Sequence, residues 1–405
     1  KTPEEGYHFT EDITDRSIGW IKQQKALMPD KPFFMYWAPG ATHAPHHVPN
    51  EWSDKYRGRF AGGWDALREE TLERQKQMGV VPDDAELTER HDGIPGWDET
   101  DDDLKPVLER QMEIYAGFLE HTDHHLGRII DTLDELEILD DTLVYYIIGD
   151  NGASAEGSLQ GTFNEYVVIN GLNEVETTEF MTERIDQFGT PEAYNHYAVG
   201  WAHAMNTPFQ WTKQVASHWG GTRNATIVHW PNGIEASGEI RPQFSHVIDV
   251  APTILEAAGI PAPDFVNGIQ QKPLEGTSMS GTFDQAAAGD VRSTQYFEMV
   301  GNRGIYHNGW TAVTKHRTPW LAGAQEMPAF DDDVWELYEP GDWSQAHDVS
   351  AEHPDHLHDL QRLWLIEAVK YNVLPLDDRL LERANADIAG RPQLIKGNRQ
   401  KLFGG

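Results

Sequence analysis

Three short segments of the chain contain residue types that could bind an anion, hold a metal ion or donate a proton. His43 lies in a histidine-rich segment, Asp150 and Asn151 are adjacent in a Gly-Asp-Asn-Gly sequence, and Lys213 follows later. A histidine can protonate a leaving oxygen. Neighbouring carboxylate and amide oxygens suit a hard cation such as calcium, and lysine places a positive charge beside an anion. These residue types therefore indicate anion binding beside a metal ion.

Each of these signals also has an ordinary interpretation. The segment around His43 could be an exposed loop, and Asp, Asn and Gly favour turns for backbone reasons. A single lysine such as Lys213 is most often a solvated surface residue. Three further histidines, His121, His124 and His125, lie on a predicted helix. We interpret them as a surface cluster in preference to a metal site, because His121 and His125 share a helix face with nothing acidic beyond Asp123 nearby.

Composition limits the classes of function. The 405 residues include 66 Asp plus Glu against 32 Lys plus Arg, which gives a formal charge of -34. This charge would repel nucleic acid and anionic membranes, so neither is an expected partner. It would also repel an anionic substrate unless local cations reverse the potential in a cleft. No apolar run approaches the roughly 20 residues that a membrane-spanning helix needs.

The chain contains no cysteine. Disulfides, thiolate zinc sites and a cysteine-derived nucleophile are therefore excluded within these 405 residues. The compartment is not fixed by the sequence, although a periplasmic or secreted location is favoured over a cytoplasmic one. The oligomeric state is also left open.

The candidate residues lie beside predicted secondary-structure elements. Helices are predicted over 10–22 and, from apolar residues at helical spacing, over 112–136. Short apolar runs predict core strands at 33–38, 143–148 and 226–230. Alternation of strands and helices implies an α/β layer with parallel pairing. Ligands of open α/β sheets gather outside the carboxyl ends of the strands, which is where the first two candidate segments are expected.

The pattern changes in the last third of the chain. Short strands are predicted at 296–299, 304–307 and 310–314, and the last two are joined across Asn308-Gly309, a strong hairpin signal. A fourth strand at 335–338 and a helix at 354–371 complete this region. We therefore predict a smaller C-terminal α+β subdomain of antiparallel strands and one helix.

Four segments, taken in order, resemble the sulfatase family of the alkaline-phosphatase-like superfamily, and the larger bacterial arylsulfatases most of all. They are Pro-Phe-Phe at 32–34 followed by Thr-His-Ala-Pro at 42–45, Ile-Gly-Asp-Asn-Gly at 148–152, Lys213 followed by Gly-Gly-Thr-Arg at 220–223, and His-Val-Ile-Asp-Val-Ala-Pro-Thr at 246–253. The segment Gly-Trp-Asp-Ala-Leu-Arg at 63–68 is similar to an insertion of those arylsulfatases. The resemblance covers essentially the whole chain.

The resemblance implies a fold and a set of roles. The fold would be a mostly parallel central sheet flanked by helices. Asp150 and Asn151 would be Ca²⁺ ligands, and His43 and Lys213 would contact the sulfate group, with His43 a proton donor to the departing alcohol or phenol. The expected reaction is hydrolysis of a small-molecule sulfate ester, either an aryl or a sugar sulfate.

The chain departs from the family pattern at the nucleophile. In the family, a cysteine of a Cys-x-Pro-x-Arg motif is oxidised to formylglycine, and this chain contains neither that cysteine nor a serine followed by Pro and Arg at the same spacing. The early strand with paired aspartates is also missing. We therefore expect the formylglycine in a segment before Lys1, and we expect this chain alone to be inactive. The alternatives are a phosphonate or phosphodiester hydrolase of the same superfamily and a non-catalytic module.

The expected division of the chain follows from these patterns. Residues 1–285 would form the α/β domain without its N-terminal strands, interrupted by a polar insertion at 50–105. Residues 290–380 would form the antiparallel subdomain, and 381–405 a tail that leads to a missing C-terminal region.

Overall fold

The computed structural model describes residue 2, residues 5–321 and residues 327–379. The predicted tail at 381–405 lies outside the described residues. The helices are α1 Phe9–Leu27, α2 Asn50–Ser53, α3 Gly63–Gln77, α4 Lys105–Glu135, α5 Glu165–Ile169, α6 Thr178–Thr182, α7 Val199–Met205, α8 Trp219–Thr222, α9 Val250–Ala257 and α10 Pro354–Lys370. The strands are β1 Val144–Ile147, β2 Thr226–His229, β3 Phe265–Val266, β4 Ile269–Gln270, β5 Thr294–Met299, β6 Asn302–His307, β7 Trp310–Thr314 and β8 Trp335–Tyr338.

Helices α1 and α4 pack against each other and confirm the two long helices predicted from sequence. Nδ1 of His8 accepts the Thr10 backbone N–H at 3.2 Å and so caps the start of α1. The first half of helix α4 is buried on most sides, and Leu108 and Ile114 pack into two different core clusters. None of the helices in the described part of the chain is long and apolar enough to cross a bilayer.

The histidines of α4 are not a surface cluster. His121 is 0% and His125 7% exposed, because the two residues continue the apolar stripe of α4 that includes Phe118 and Ile129. Of the three, only His124 is exposed. The interpretation as a surface cluster is therefore wrong for two of the three histidines, and the spacing of 118, 121, 125 and 129 is the signal that indicated their burial.

Strands β1 and β2 confirm the predicted strands at 143–148 and 226–230, but their pairing differs from the prediction. They pair antiparallel, with Val144 opposite His229 and Ile147 opposite Thr226. Parallel pairing is enforced when one close crossover helix joins two strands. Here the connection at 148–225 consists mostly of loops and short helices, which can return the chain in either direction. The parallel pairing predicted for these two strands is therefore wrong.

The predicted strand at 33–38 is also wrong, because this segment has no strand partner among the described residues. Phe33 and Trp37 pack on the cluster around Ile21, but Phe34 and Tyr36 are 69% and 83% exposed. The side chains alternate as in a strand, so the local conformation is extended without a hydrogen-bonded neighbour.

The polar insertion contributes to the main core. Trp64 and Trp201 form an edge-to-face pair with ring centroids 5.4 Å apart, and both are buried. The buried guanidinium of Arg68 donates to the carbonyl oxygens of Thr88 and His203 at 2.8 and 2.9 Å. Burial lowers the pKa of Arg68 to about 10, so the side chain stays charged at neutral pH. The contacts of Trp64 and Arg68 thus join the insertion to the segment around residues 201–203, which precedes Lys213 in the chain.

The C-terminal region contains the predicted antiparallel sheet, in the order β5-β6-β7-β8. Asn308 and Gly309 have φ of 49° and 91°, as a two-residue hairpin of type I′ requires. Helix α10 covers one face of the sheet, where Trp364 packs with Ile305 and Leu337. The predicted strands and helix are confirmed, whereas the boundaries at 285 and 290 remain predictions.

Candidate active site

His43 and Lys213 lie side by side in the structure. The ammonium of Lys213 donates to Nε2 of His43 across 3.3 Å. The other ring nitrogen, Nδ1, lies 2.7 Å from the carbonyl oxygen of Ala44. Because a carbonyl can only accept, Nδ1 carries the proton, and the lone pair on Nε2 faces the ammonium. The exposed ring of His43 is thereby fixed in orientation beside a positive charge.

Glu156 is a third member of this group that the sequence analysis missed. Its Oε2 accepts from Lys213 at 3.2 Å and from Oγ of Ser154 at 2.8 Å, and its Oε1 accepts from the amide of Gln214 at 2.8 Å. Partial burial opposes the charged carboxylate, but Lys213 and Ser154 together outweigh it and lower the pKa of Glu156. No sequence pattern distinguishes this residue, because one glutamate among 66 acidic residues is not distinctive.

Asp150 and Asn151 lie in the loop that directly follows β1. Nδ2 of Asn151 donates to Oδ1 of Asp150 at 3.0 Å, so the two side chains are close together. Gly149 adopts φ of 80°, and a Cβ there would lie 3.4 Å from Oδ1 of Asn224. Carboxylate and amide oxygens are the ligands that calcium prefers, and it takes about six to eight of them. The donor set therefore fits part of a calcium shell.

The loop of Asp150 is joined directly to the segment of Lys213. The backbone N–H of Lys213 donates to the carbonyl of Ala153 at 3.0 Å, and that of Gly152 donates to the carbonyl of Gly221 at 3.2 Å. A Cβ on Gly152 would lie only 1.7 Å from the backbone oxygen of Gly220. Such an approach is possible only for glycine. The candidate metal ligands and the candidate lysine are thus held in one backbone unit.

The C-terminal sheet supports the Lys213 segment from the other side. Asn302 of β6 donates to the carbonyl of Gln214 at 2.9 Å, where the backbone has φ of 77°. Nε2 of His218 lies 3.1 Å from the Glu336 carboxylate of β8. The buried Gln345 accepts from the N–H of Trp219 at 2.8 Å. Contacts from the C-terminal sheet and its connections therefore fix the conformation around Lys213.

Two buried histidines lie behind His43. The rings of His46 and His196 are 5.1 Å apart, and Nδ1 of His196 donates to the carbonyl of Tyr197 at 2.8 Å. Burial lowers the pKa of His196 to about 4 and lowers that of His46 strongly. Both rings are consequently neutral near pH 7, which leaves Lys213 as the fixed cation of the group.

Comparison with known proteins supplies the context for this arrangement. Residues 1–260 match the family described as Sulfatase. The chain is 28% identical over 378 residues to an uncharacterized sulfatase of Schizosaccharomyces pombe, a match that covers 92% of this chain and 62% of that protein. It is 26% identical over 277 residues to an arylsulfatase of Klebsiella aerogenes, with 68% and 56% covered. The chain thus spans less than two thirds of the length of these relatives.

Solved structures show the same fold. The structure of Ps i-CgsB aligns with 96% of this chain and 61% of its own, with a TM-score of 0.52 and 17% identity. A Bacteroides fragilis protein assigned to the sulfatases, yidJ, aligns with 90% of this chain and 59% of its own, with a TM-score of 0.52 and 14% identity. These neighbours confirm the predicted α/β class with its C-terminal antiparallel subdomain.

Proposed function

Because the chain belongs to the sulfatase family, we propose that the protein hydrolyses sulfate esters, either aryl or sugar sulfates, at the site that contains His43 and Lys213. The observation that carries the proposal is the 3.3 Å contact between Nζ of Lys213 and Nε2 of His43. An ammonium and an imidazole at this separation can contact the same small anionic group. The loop of Asp150 and Asn151, joined to the Lys213 segment, supports the same site.

Lys213 would bind the sulfate group through its ammonium. Its side chain is 19% exposed, so it is mostly enclosed but still accessible from solvent. A bound sulfate oxygen would compete with Glu156 for the donors of this ammonium. Positive charge directed at sulfate oxygens in a partly enclosed site stabilises the charge that develops during cleavage.

His43 would protonate the leaving oxygen. Its Nδ1 is committed to the carbonyl of Ala44, so Nε2 is the nitrogen that can take up a proton and deliver it. Once Nε2 is protonated, it can no longer accept the hydrogen bond from Lys213, and two positive charges lie side by side. An anion bound between the two groups would offset these charges. Binding of the substrate and protonation of His43 would therefore support each other.

Asp150 and Asn151 would hold a calcium ion, which when bound would offset negative charge on the sulfate oxygens. A formylglycine nucleophile does not fit these 405 residues, which contain no cysteine and no Ser-x-Pro-x-Arg sequence. We derive no attack step for that reason. The proposal is that the whole protein uses such a nucleophile, and that the 405-residue chain alone does not cleave sulfate esters.

The direct test is an assay of the protein as its gene encodes it, matured in a host that makes formylglycine. Release of 4-nitrophenol from 4-nitrophenyl sulfate is expected, with loss of activity after chelation of calcium and recovery after calcium is returned. Faster cleavage of a 4-nitrophenyl phosphonate monoester than of the sulfate would instead support the phosphonate hydrolase alternative. Cleavage of neither ester would support a non-catalytic module.

A further inference from the structure

A second group of potential metal ligands lies between α1 and α4, away from the Lys213 segment. Glu11 of α1 and two histidines of α4, His121 and His125, each present one ligand atom, and these atoms lie within 4.8 Å of one another. The histidines are four residues apart and therefore share one face of α4. We propose that these three residues form a zinc site that links α1 to α4.

The environment of His121 is the first observation that points to an absent ligand. Its side chain is fully buried, and its Nδ1 has no hydrogen-bond partner in the described part of the chain. A buried polar atom without a partner is costly, and the other ring nitrogen, Nε2, has only a long contact with Glu11. Nε2 is therefore the nitrogen left to bind an ion, and Nδ1 would carry the proton. The neighbouring His8, in contrast, has a partner at both ring nitrogens. Its Nδ1 accepts from the backbone N–H of Thr10, and its Nε2 donates to the carbonyl of His47 at 3.0 Å.

The separation between Glu11 and His121 is the second observation. Oε1 of Glu11 lies 3.4 Å from Nε2 of His121. A charge-assisted hydrogen bond would bring these atoms to about 2.7–2.9 Å. Two ligand atoms of a tetrahedral zinc ion, each bound at about 2.0–2.2 Å, lie roughly 3.4 Å apart. The observed spacing is therefore long for a strong hydrogen bond and matches one edge of a zinc coordination shell.

The ligand types favour zinc over calcium. Two imidazoles and one carboxylate suit a borderline cation, whereas calcium requires oxygen ligands. Three protein ligands leave a fourth position, which a water molecule would fill. The partly exposed side chain of Glu11 gives an ion a route from solvent.

Arg128 is the group that opposes metal binding. Its Nη1 lies 2.9 Å from Nδ1 of His125, and its Nη2 lies 2.5 Å from the Asp15 carboxylate. Zinc binding requires His125 to carry its proton on the nitrogen away from the ion, so Arg128 must leave this contact and remain with Asp15. The half-exposed side chain of Arg128 can make that movement. Replacement of Arg128 by a neutral residue is therefore expected to strengthen zinc binding at this site.

The test uses the purified protein, stripped of transition metals and kept in excess calcium so that oxygen-ligand sites are filled. Titration with zinc chloride against a chromophoric chelator is expected to show one tight site, and cobalt(II) to give the visible absorption of a four-coordinate ion. Glu11→Gln and His125→Gln should each weaken zinc binding by at least about 100-fold, a loss at the upper end of that seen for outer-shell partners. Zinc should raise the Tm of the parent protein and not that of Glu11→Gln.

His124→Gln is the matched control, because this neighbouring histidine is exposed and is not one of the three grouped ligands. It should bind zinc as the parent protein does, and Arg128→Gln should bind it as tightly or more tightly. Glu11→Gln decides the question if His125→Gln fails to fold, since Glu11 is partly exposed. Absence of stoichiometric zinc binding, or equal losses in His124→Gln and Glu11→Gln, would overturn the proposal. All readouts are independent of sulfatase activity.

Discussion

The ammonium of Lys213 lies 3.3 Å from Nε2 of His43, although 170 positions separate the two residues in the chain. This contact joins the group that would bind an anion to the group that would donate a proton. The contact forms only in the folded protein, where the loop of His43 meets the loop of Lys213. Backbone hydrogen bonds to the Asp150 loop fix the Lys213 segment.

Replacement of either residue of this pair should remove most of the activity of the matured protein. Lys213→Ala loses the positive charge that we propose binds the sulfate group, and His43→Gln loses the proposed proton donor. Each change should lower kcat/KM for 4-nitrophenyl sulfate by about 100-fold or more. Lys22→Ala, which removes a surface ion pair with Glu135, is the control and should leave the rate unchanged. A Lys213→Ala variant within threefold of the parent would contradict the proposed role.

Glu156→Gln should separate binding from turnover. The substitution keeps a polar side chain beside Lys213 but removes a negative charge that competes with the substrate for the ammonium. We expect KM to stay the same or fall, because an anion then binds more easily, and kcat to fall by about 3- to 10-fold, because Lys213 is positioned less firmly. Steady-state kinetics measure both values. Glu70→Gln on the surface of α3 is the control, and a higher KM in Glu156→Gln would refute this account.

Gly152→Ala should disturb both loops of the site at once. The added methyl would meet the backbone oxygen of Gly220 at 1.7 Å, which only a backbone shift can relieve. The free energy of unfolding should fall by about 2–3 kcal/mol, and calcium affinity should fall with it. Gly127→Ala on α4, where a Cβ meets nothing within 4 Å, should be neutral or stabilising by up to about 1 kcal/mol. Urea unfolding and calcium titration of both variants test this difference.

His196 should make the protein less stable in acid. Burial lowers the pKa of His196 to about 4, against about 6.5 in an unfolded chain. Between these values the unfolded state binds a proton that the folded state does not, so the free energy of unfolding falls as the pH falls from 6.5 to 4. The charges of Glu156 and Lys213 act on the ring with opposite signs, so burial remains the main cause. The expected loss from this group is about 2 kcal/mol at pH 5.

Urea unfolding of the parent and of His196→Gln at pH 7 and pH 5 measures that contribution. The variant should lose less stability than the parent between the two pH values. His347→Gln is the control, because His347 is exposed and its ion pair with Glu86 raises its pKa. That variant should show no reduction in the acid-dependent loss, and an equal reduction in both variants would contradict the assignment to His196.

The 405-residue chain, expressed by itself, should release no 4-nitrophenol from 4-nitrophenyl sulfate above the rate of the buffer. These residues include neither a cysteine nor a Ser-x-Pro-x-Arg sequence from which the nucleophile could be made. Calcium-saturated protein at high concentration gives the most sensitive assay. Turnover that disappears in Lys213→Ala would show that the chain has another nucleophile.

Features that depend on local sequence were predictable. The type I′ hairpin at Asn308-Gly309 requires positive φ at both residues, and few other dipeptides provide it. Helix α4 follows from apolar residues at helical spacing over many turns. The candidate pair His43 and Lys213 was predicted from ordered motifs, which are themselves local patterns.

Features that depend on tertiary contacts were not predictable from one sequence. The antiparallel pairing of β1 with β2 is decided by a long connection whose direction no local pattern determines. The partner of His121 is Glu11, which is distant in the chain and therefore invisible to a search for nearby acidic residues. Glu156 joins the candidate site only because its own loop and that of Lys213 and Gln214 meet around its carboxylate.

The support of the Lys213 segment by the C-terminal sheet limits how this protein could be shortened or redesigned. Asn302 and Glu336 of that sheet, together with Gln345, hold the backbone and side chains on both sides of the lysine. A minimal version without the C-terminal subdomain would leave the partners of Asn302, Glu336 and Gln345 around the lysine unpaired. The side chain of Lys213 would then no longer be held in one position. Any redesign of the candidate site should therefore vary residues at its rim and leave the C-terminal sheet unchanged.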